Sequence, residues 1–417
     1  MPLNLNLENG VKLQQQKEQS YVRPLMRLRT PDEVAVPLVG SGSDTMLPIM
    51  RVGETVAKYS MLARSKNNMD WVISPVSGRL RCIERINHPL LGSVLCAFIA
   101  VKDNIPQLET IGHNPSAMTA KSIVQAARMA CIIDECDGMP LYYKMETAMR
   151  ENVQLVIADG IDDTPYVSSA LKTLSEYGDI ACDGVGLTLK ALGGGKAVLA
   201  VYDSGDLNME NAINSFGFTD VVPIGSGYPA WPRFEKKYCE GRAYLRVGVQ
   251  ALRALSIAVR EGVPQVESIV TVAGDCIDQP ANIVVPTGAS IEYILQEVGL
   301  ARTPRYVIIG DTMTGITCNK LNVPMTLGLR GICVMSQLPA PQDKNGCISC
   351  GRCVDVCPKG LFPSETVRMY ERGAKKQAVR FGARDCIGCG ACSAVCPSGV
   401  EVSDIMQELR QTMDIKA

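Results

Sequence analysis

The stretch Cys347-Ile-Ser-Cys350-Gly-Arg-Cys353-Val-Asp-Val-Cys357-Pro358 returns in kind as Cys386-Ile-Gly-Cys389-Gly-Ala-Cys392-Ser-Ala-Val-Cys396-Pro397. Both copies follow C-x2-C-x2-C-x3-C-P, a spacing that belongs to iron–sulfur ligation. Thiolates are soft ligands that suit iron–sulfur clusters or zinc. A zinc site needs four ligands, usually from two CxxC-like pairs, so a third cysteine two residues after the second is superfluous for it. It is needed where one short loop must hold three corners of a cubane. A disulfide framework fits less well, because such scaffolds are short secreted chains. Pro358 and Pro397 fix φ after each fourth cysteine. Gly351, Gly388 and Gly390 let backbone approach the inorganic core and offer N–H groups to its sulfurs.

The doubled pattern resembles the two-cluster bacterial ferredoxins, in which the fourth cysteine of each run ligates the other cluster. That resemblance implies one [4Fe-4S] cluster on Cys347, Cys350, Cys353 and Cys396. The second takes Cys386, Cys389, Cys392 and Cys357. Cross-ligation of this kind holds the two groups close together, as electron hopping requires.

The rest of the chain is large enough for two to four domains at 417 residues. The formal charge of −1 gives no reason to expect nucleic acid or an anionic membrane as partner. The sequence holds 17 cysteines; with no secretory segment read at the start, they imply a reducing, cytoplasmic compartment. The cysteines outside the two motifs are expected to be small buried hydrophobes. No apolar run is long enough to span a bilayer, so any membrane association is expected through a partner.

Residues 1–28 are polar and read as an extended or weakly helical arm without chemistry. From 29 to 110, short β-like runs alternate with glycine turns: Val36-Pro37-Leu38-Val39, Val52-Gly53-Glu54-Thr55-Val56 and Ser74-Pro75-Val76-Ser77-Gly78. These phrases resemble the barrel-sandwich hybrid of biotinyl and lipoyl carriers. Lys66 lies near the hairpin tip at 65–70, but the flanking methionines of a carrier are missing, so a structural barrel is expected. His88 and His113 have no metal-like company. From 115 to 264, strands and helices alternate: 122–130 helical, 155–158 strand, 166–177 helical, 198–202 strand, 209–216 helical, 220–223 strand and 250–261 helical. That alternation predicts a Rossmann-like parallel sheet. Gly193-Gly194-Gly195-Lys196 precedes a strand, where a phosphate loop should follow one, and is read as a turn. From 265 to 340, two β runs and a helix at 290–297 resemble the β-grasp SLBB module. The cluster domain takes 341–417. Between its motifs, Ser364 is expected to N-cap a helix, and Arg368, Arg372, Lys375, Lys376 and Arg380 form a basic face. That face is read as solvated, or as a docking patch for an acidic partner.

This order of modules resembles the C subunit of the Rnf electron-transport complex and its soluble relatives. VTVAGDCIDQPANIVVPTGASIEYIL at 270–295 and VIIGDTMTGI at 307–316 carry the likeness. In that family the middle domain resembles the NADH-binding flavoprotein subunit of respiratory complex I. It holds FMN and NADH with a G-x-G-G-A-G-F-P-x-x-x-K loop, an N-x-x-E-x-E-P segment and a Y-P-x-G-G-E segment. In the present chain the loop is residues 130–144, and only Gly138, Pro140 and Lys144 match. Tyr228 and Pro229 survive, followed by Ala230-Trp231-Pro232, and the acidic segment is reduced to residues 158–165. The resemblance implies Gly138, Pro140, Lys144, Tyr228 and Pro229 as flavin or nucleotide contacts. The bulky and acidic replacements, Asp134, Glu135 and Asp137 among them, predict loss of the phosphate contact. Cys131 and Cys136 bracket the altered loop, either as a redox thiol pair or as two packed cysteines.

The expectation is a multidomain α/β plus β protein that transfers electrons through two [4Fe-4S] clusters. Its donor would be NADH or an upstream flavoprotein, and its acceptor a downstream reductase. The branch associated with D-proline reductase is the first choice. The alternatives are a peripheral C subunit of a membrane Rnf-type NADH:ferredoxin oxidoreductase, a cobalamin reductase-like NADH-dependent flavoprotein, and a non-enzymatic scaffold with an electron-relay contact. NADH dehydrogenase activity depends on the altered loop, and the sequence sets no oligomeric state.

Overall fold

Glu33–Pro37 begins a small barrel in the computed structural model. The structure describes residues 10–414 apart from 41–45, 68, 204, 206–212, 215, 218–219, 226 and 338–345. The strands are β1 (Met26–Arg27), β2 (Glu33–Pro37), β3 (Leu47–Pro48), β4 (Thr55–Val56), β5 (Met61–Arg64), β6 (Trp71–Ile73), β7 (Gly78–His88) and β8 (Gly92–Val101). They continue as β9 (Leu155–Gly160), β10 (Lys196–Tyr202), β11 (Val221–Ile224) and β12 (Leu245–Gly248). The last are β13 (Glu267–Ala273), β14 (Ala281–Pro286), β15 (Tyr306–Ile309), β16 (Ile316–Thr317) and β17 (Gly331–Met335).

The barrel pairs β2-β8-β7-β4 with a smaller sheet, β3-β5-β6. Alternation puts Val34, Val36, Leu62, Val72, Leu80 and Ile99 inside. The β5–β6 hairpin has Lys66 at its exposed tip. That tip is docked rather than free: Tyr142 donates to Asp70 at 2.5 Å, and Cys131 donates to the Trp71 carbonyl.

The middle of the chain forms a wholly parallel sheet in the order β11-β10-β9-β12. Its strands are apolar on both sides, as a doubly covered sheet requires. On β9, Val156 and Ala158 face one core with the helices Ala120–Met129, Leu141–Arg150, Ser169–Leu192 and Val249–Glu261. Leu155 and Ile157 face the other, with Ala230 and Phe234. The long helix is kinked at Tyr177 and begins at Ser169, later than the pattern suggested, because Tyr166 is left-handed (φ 69°). Gly184 lets it lie against the next helix, since a Cβ there would overlap the Leu252 carbonyl. Gly193 closes the helix in the left-handed region, so the triple glycine is a turn into β10. Most of the helix expected at 209–216 lies outside the described residues.

The third unit is a mixed six-stranded sheet, β1-β14-β13-β17-β15-β16, with the helix Ile291–Val298 packed on it. At the C-terminal end, the short helices Arg352–Asp355 and Ala391–Ala394 repeat each other. Each is preceded by a left-handed glycine, Gly351 (φ 79°) and Gly390 (φ 75°). Ser364 is not the N-cap of the following helix. Pro363 takes the first helical position, where its fixed φ and missing N–H are tolerated, and Phe362 precedes it.

The N-terminal arm departs most from its reading as an inert extension. Val11 pairs with Tyr228 through both backbone bonds, at 2.8 and 2.7 Å. Tyr166 donates to the Gln15 carbonyl, Lys17 is fully buried on the Asp162 carbonyl, and the Asn282 amide reaches the Ser20 carbonyl at 3.0 Å. Val11 also joins a small core with Tyr228, Val356, Ala391 and Val395. The arm therefore ties the parallel-sheet unit, the mixed sheet and the cysteine-bearing unit together. Its residues are polar because the backbone and side-chain groups they meet are polar.

Candidate functional site

Each cysteine run puts its first three thiols on a glycine-bent loop and the start of a one-turn helix. The fourth follows that helix. Cys357, Cys386, Cys389 and Cys392 line one cavity of about 370 Å³, together with Pro358, Lys359 and Ile387. The thiols influence one another accordingly. Cys386 and Cys389 both sense the charge on Cys357, and Cys392 that on Cys389 and Cys386. The fourth cysteine of the first run thus sits with the first three of the second. In the other set, Cys353 senses Cys347 and Cys350. Cys396 holds the position equivalent to Cys357: Val400 N–H points at its sulfur at 3.4 Å, as Leu361 N–H does at Cys357. Gly388 N–H donates to Cys386 at 3.4 Å. Burial pushes the Cys389 thiol up to about 11 and Cys392 higher still, so a bound cation must supply the drive for deprotonation.

Among the described residues, no three His, Cys, Asp or Glu side chains converge as a mononuclear site would. Four thiols spread around the wall of one cavity fit a cluster that carries iron at its own corners. Cys350 is exposed while Cys353, Cys357 and Cys392 are buried, so the first set opens to the surface.

Beside the cysteine cavity lies an open basin of about 1580 Å³ at the carboxyl edge of the parallel sheet. Lys359 and Ile387 belong to the walls of both. Tyr228, which follows the left-handed Gly227 and precedes Pro229 through a cis bond, donates its hydroxyl to the Cys389 carbonyl at 2.6 Å. Charged groups under the basin are paired. Arg246 bonds Asp159 at 2.5 Å and stacks 3.8 Å from the centre of the Trp231 ring. Arg330 bonds Asp162 at 2.5 Å. Burial opposes ionisation of Asp159, but Arg246 and Arg330 outweigh it and hold the carboxyl below its ordinary value. Burial raises Asp163, which accepts the Ala230 N–H at 2.6 Å.

The residues singled out in the 130–144 loop and at 228–229 do not form one site. Glu135, Cys136, Tyr228 and Pro229 line the basin. Cys131, Gly138 and Pro140 line a separate cavity of about 1000 Å³ against the barrel. Cys131 points to the Trp71 carbonyl, whereas Cys136 donates to Asp159 at 3.4 Å. The two thiols thus face different cavities, and burial raises both, Cys131 to about 12. Neither is poised as a thiolate. Lys144 is held by Asp134 at 2.5 Å and Asp137 at 2.6 Å. A lysine shared by two carboxylates of its own loop has no charge left over for a phosphate. The loop therefore does not fit the FMN or NADH phosphate that the family resemblance implies. Arg246, Arg330 and the arm residues escaped the sequence reading, because nothing local marks segments that meet only in the folded chain.

Residues 5–104 match the protein-family model described as the RnfC barrel sandwich hybrid domain. Residues 346–400 match the 4Fe-4S dicluster domain. The C subunit of the proton-translocating ferredoxin:NAD(+) oxidoreductase complex of Clostridium ljungdahlii is 24% identical over 389 residues, covering 86% of this chain and 83% of that one. The C subunit of the ion-translocating oxidoreductase complex of Rhodobacter capsulatus is 25% identical over 366 residues, covering 80% and 69%. A solved NAD+-reducing [NiFe]-hydrogenase overlaps 71% of this chain and 61% of its own at 14% identity and a TM-score of 0.48, too little to bear on function. Barrel, paired cysteine runs and relatives agree in their likeness to the RnfC-like family.

Proposed function

We propose that the chain is an iron–sulfur electron-transfer protein of the kind its relatives represent, a peripheral component handing single electrons between protein partners. The observation that carries this reading is the shared wall. Lys359 and Ile387 separate the basin from the cavity of Cys357, Cys386, Cys389 and Cys392, so a donor seated in the basin stands one side-chain layer from those thiols. Those four cysteines would hold one [4Fe-4S] cluster, and Cys347, Cys350, Cys353 and Cys396 the other. When bound, such clusters supply reversible one-electron transfer. Gly388, Leu361 and Val400 turn N–H groups to the sulfurs, which tunes the ligands. Tyr228 and Val11 keep the cysteine loop seated on the sheet. Exposed Cys350 and Ile348 mark the face open to an acceptor.

In this reading, residues 29–110 are the barrel, 115–264 a Rossmann-like unit, 265–340 a β-grasp module and 341–417 the cluster unit. The relatives favour a place in an ion-translocating complex, as its C subunit, over a proline-reductase partner. Among the described residues no helix is long and apolar enough to cross a membrane, so attachment to such a complex would run through other proteins of the assembly. The altered loop favours an external flavoprotein as donor. Anaerobic purification with iron and sulfide analysis tests the proposal. About eight irons per chain, reducible by dithionite or an added flavoprotein, are expected. Stoichiometric zinc in place of iron, or clusters that no protein donor reduces, would sink it.

A further inference from the structure

In the sheet order β11-β10-β9-β12, β9 lies between strands that the chain reaches on opposite sides. The crevice outside the carboxyl ends of the strands at such a switch point is where open parallel sheets take their ligands. Helix Val249–Glu261 starts there directly after β12, with Gly248 as an N-cap that offers no side chain. The free N–H groups and dipole of such a helix start favour an anion.

In this chain that place is already filled by two carboxyl groups. Asp134 accepts the Gly248 N–H at 3.0 Å. Glu135 accepts the Gln250 N–H through Oε1 at 2.7 Å and the Ala251 N–H through Oε2 at 3.0 Å. Both carboxylates are buried. Gly248 is shaped to them, because a Cβ at that position would overlap the Glu135 carboxylate. Cys136 continues the segment to Asp159 at the end of β9. The ends of β9 and β12 are thus bridged by three consecutive residues of the 130–144 loop.

We infer that the carboxyl groups of Asp134 and Glu135 occupy the phosphate position of this crevice, so that FMN or a nicotinamide dinucleotide is not anchored there. Removing the Glu135 side chain would expose an anion site that a phosphate can enter from the basin, whose wall Glu135 already forms. The inference needs only the crevice and is independent of the electron-relay reading, since its readout involves no cluster.

The test is thermal melting of the anaerobically purified full-length chain in inorganic phosphate against chloride at matched ionic strength. The proteins are wild type, Glu135→Ala, Glu135→Gln and Ile294→Ala, the last a core change in the mixed sheet. Glu135→Ala is expected to melt lower in chloride and to gain about 3 °C or more from phosphate beyond the gain of wild type and Ile294→Ala. Glu135→Gln still fills the space and should show no such excess. Should Glu135→Ala not fold in chloride, folding restored by phosphate supports the inference, and failure in both buffers overturns it. Equal phosphate gains in all four proteins, or one FMN retained per wild-type chain, would also overturn it.

Discussion

Replacing Gly248 by alanine isolates the contact between Glu135 and the helix it caps. The backbone at Gly248 is extended (φ −67°, ψ 148°), a conformation any residue adopts, so the substitution carries no dihedral strain. Its cost comes from the Cβ, which would overlap the Glu135 carboxyl group and force it off the Gln250 and Ala251 N–H groups. Above pH 8, where Glu135 is ionised, hydrogen bonds to its charged carboxylate contribute about 1.5–3 kcal/mol each. Water in the adjoining basin recovers part of that loss, which leaves a destabilisation of about 2–4 kcal/mol. The assay is urea unfolding at about pH 9 followed by far-ultraviolet circular dichroism, run as a double-mutant cycle with Glu135→Ala. With the carboxylate gone the three closest overlaps of the new Cβ go with it, so Gly248→Ala should then cost under about 0.5 kcal/mol, a coupling of roughly 1.5 kcal/mol or more. Equal costs of Gly248→Ala in the two backgrounds would refute the reasoning, because they would locate the penalty elsewhere than in the cap.

Cys357→Ala should remove about four of eight irons while leaving the other cluster, as iron analysis and electron paramagnetic resonance would register; an unchanged iron content would exclude it as a ligand. Arg246→Ala leaves the fully buried Asp159 without its direct ion-pair partner, the charge of Arg330 and the Ile161 N–H offsetting part of the loss, and should cost about 3 kcal/mol in denaturant unfolding. Tyr228→Phe loses the bond to the Cys389 carbonyl and should speed proteolytic release of the C-terminal unit while leaving the parallel-sheet unit protected. Burial and Asp134 raise Glu135 to about 8, above its unfolded value of 4.5. The folded state therefore binds the extra proton between those values. This contribution is present below pH 4.5 and lost as pH rises through 8, and it should vanish in Glu135→Ala. Lys17, lowered by burial to about 8, acts in the adjoining window and adds stability as pH rises from 8 towards 10.5. Stability curves of wild type and Glu135→Ala that superimpose from about pH 5 to 8 would contradict the assignment.

The arm bears on how the cysteine unit is held. The contacts of residues 11–20 are spread over three units of the chain, and Tyr228 is bonded on one side to Val11 and on the other to the Cys389 loop. Gly390 needs its left-handed backbone, and it also meets the Met313 carbonyl, where a Cβ would collide. The cysteine loop is thus positioned from the sheet, the arm and the 311–315 turn at once. Holding it this way keeps the wall between basin and thiols thin and fixed.

Some of this was legible in the order of residues. Cluster ligation is local chemistry, so the spacing of eight cysteines with their glycines and prolines marks it directly. Strand–helix alternation and apolar runs announce a parallel sheet, because burial on both faces leaves no polar period. The acidic residues at 134, 135 and 137 already argued against a phosphate. What the sequence could not show is where those carboxylates go. Glu135 finds the helix start at Gln250 only because β12 lies beside β9, more than a hundred positions away along the chain. Cys131 and Cys136 look like a pair by spacing, yet the loop between them turns one thiol to the barrel and the other to the sheet. The arm looks solvated by composition, yet Gln15, Lys17 and Ser20 are buried, because long-range polar partners remove the cost of taking them out of water. Periodicity and motif spacing report neighbours along the chain. Charge pairing, capping and cavity walls depend on neighbours in space, and only the tertiary structure decides those.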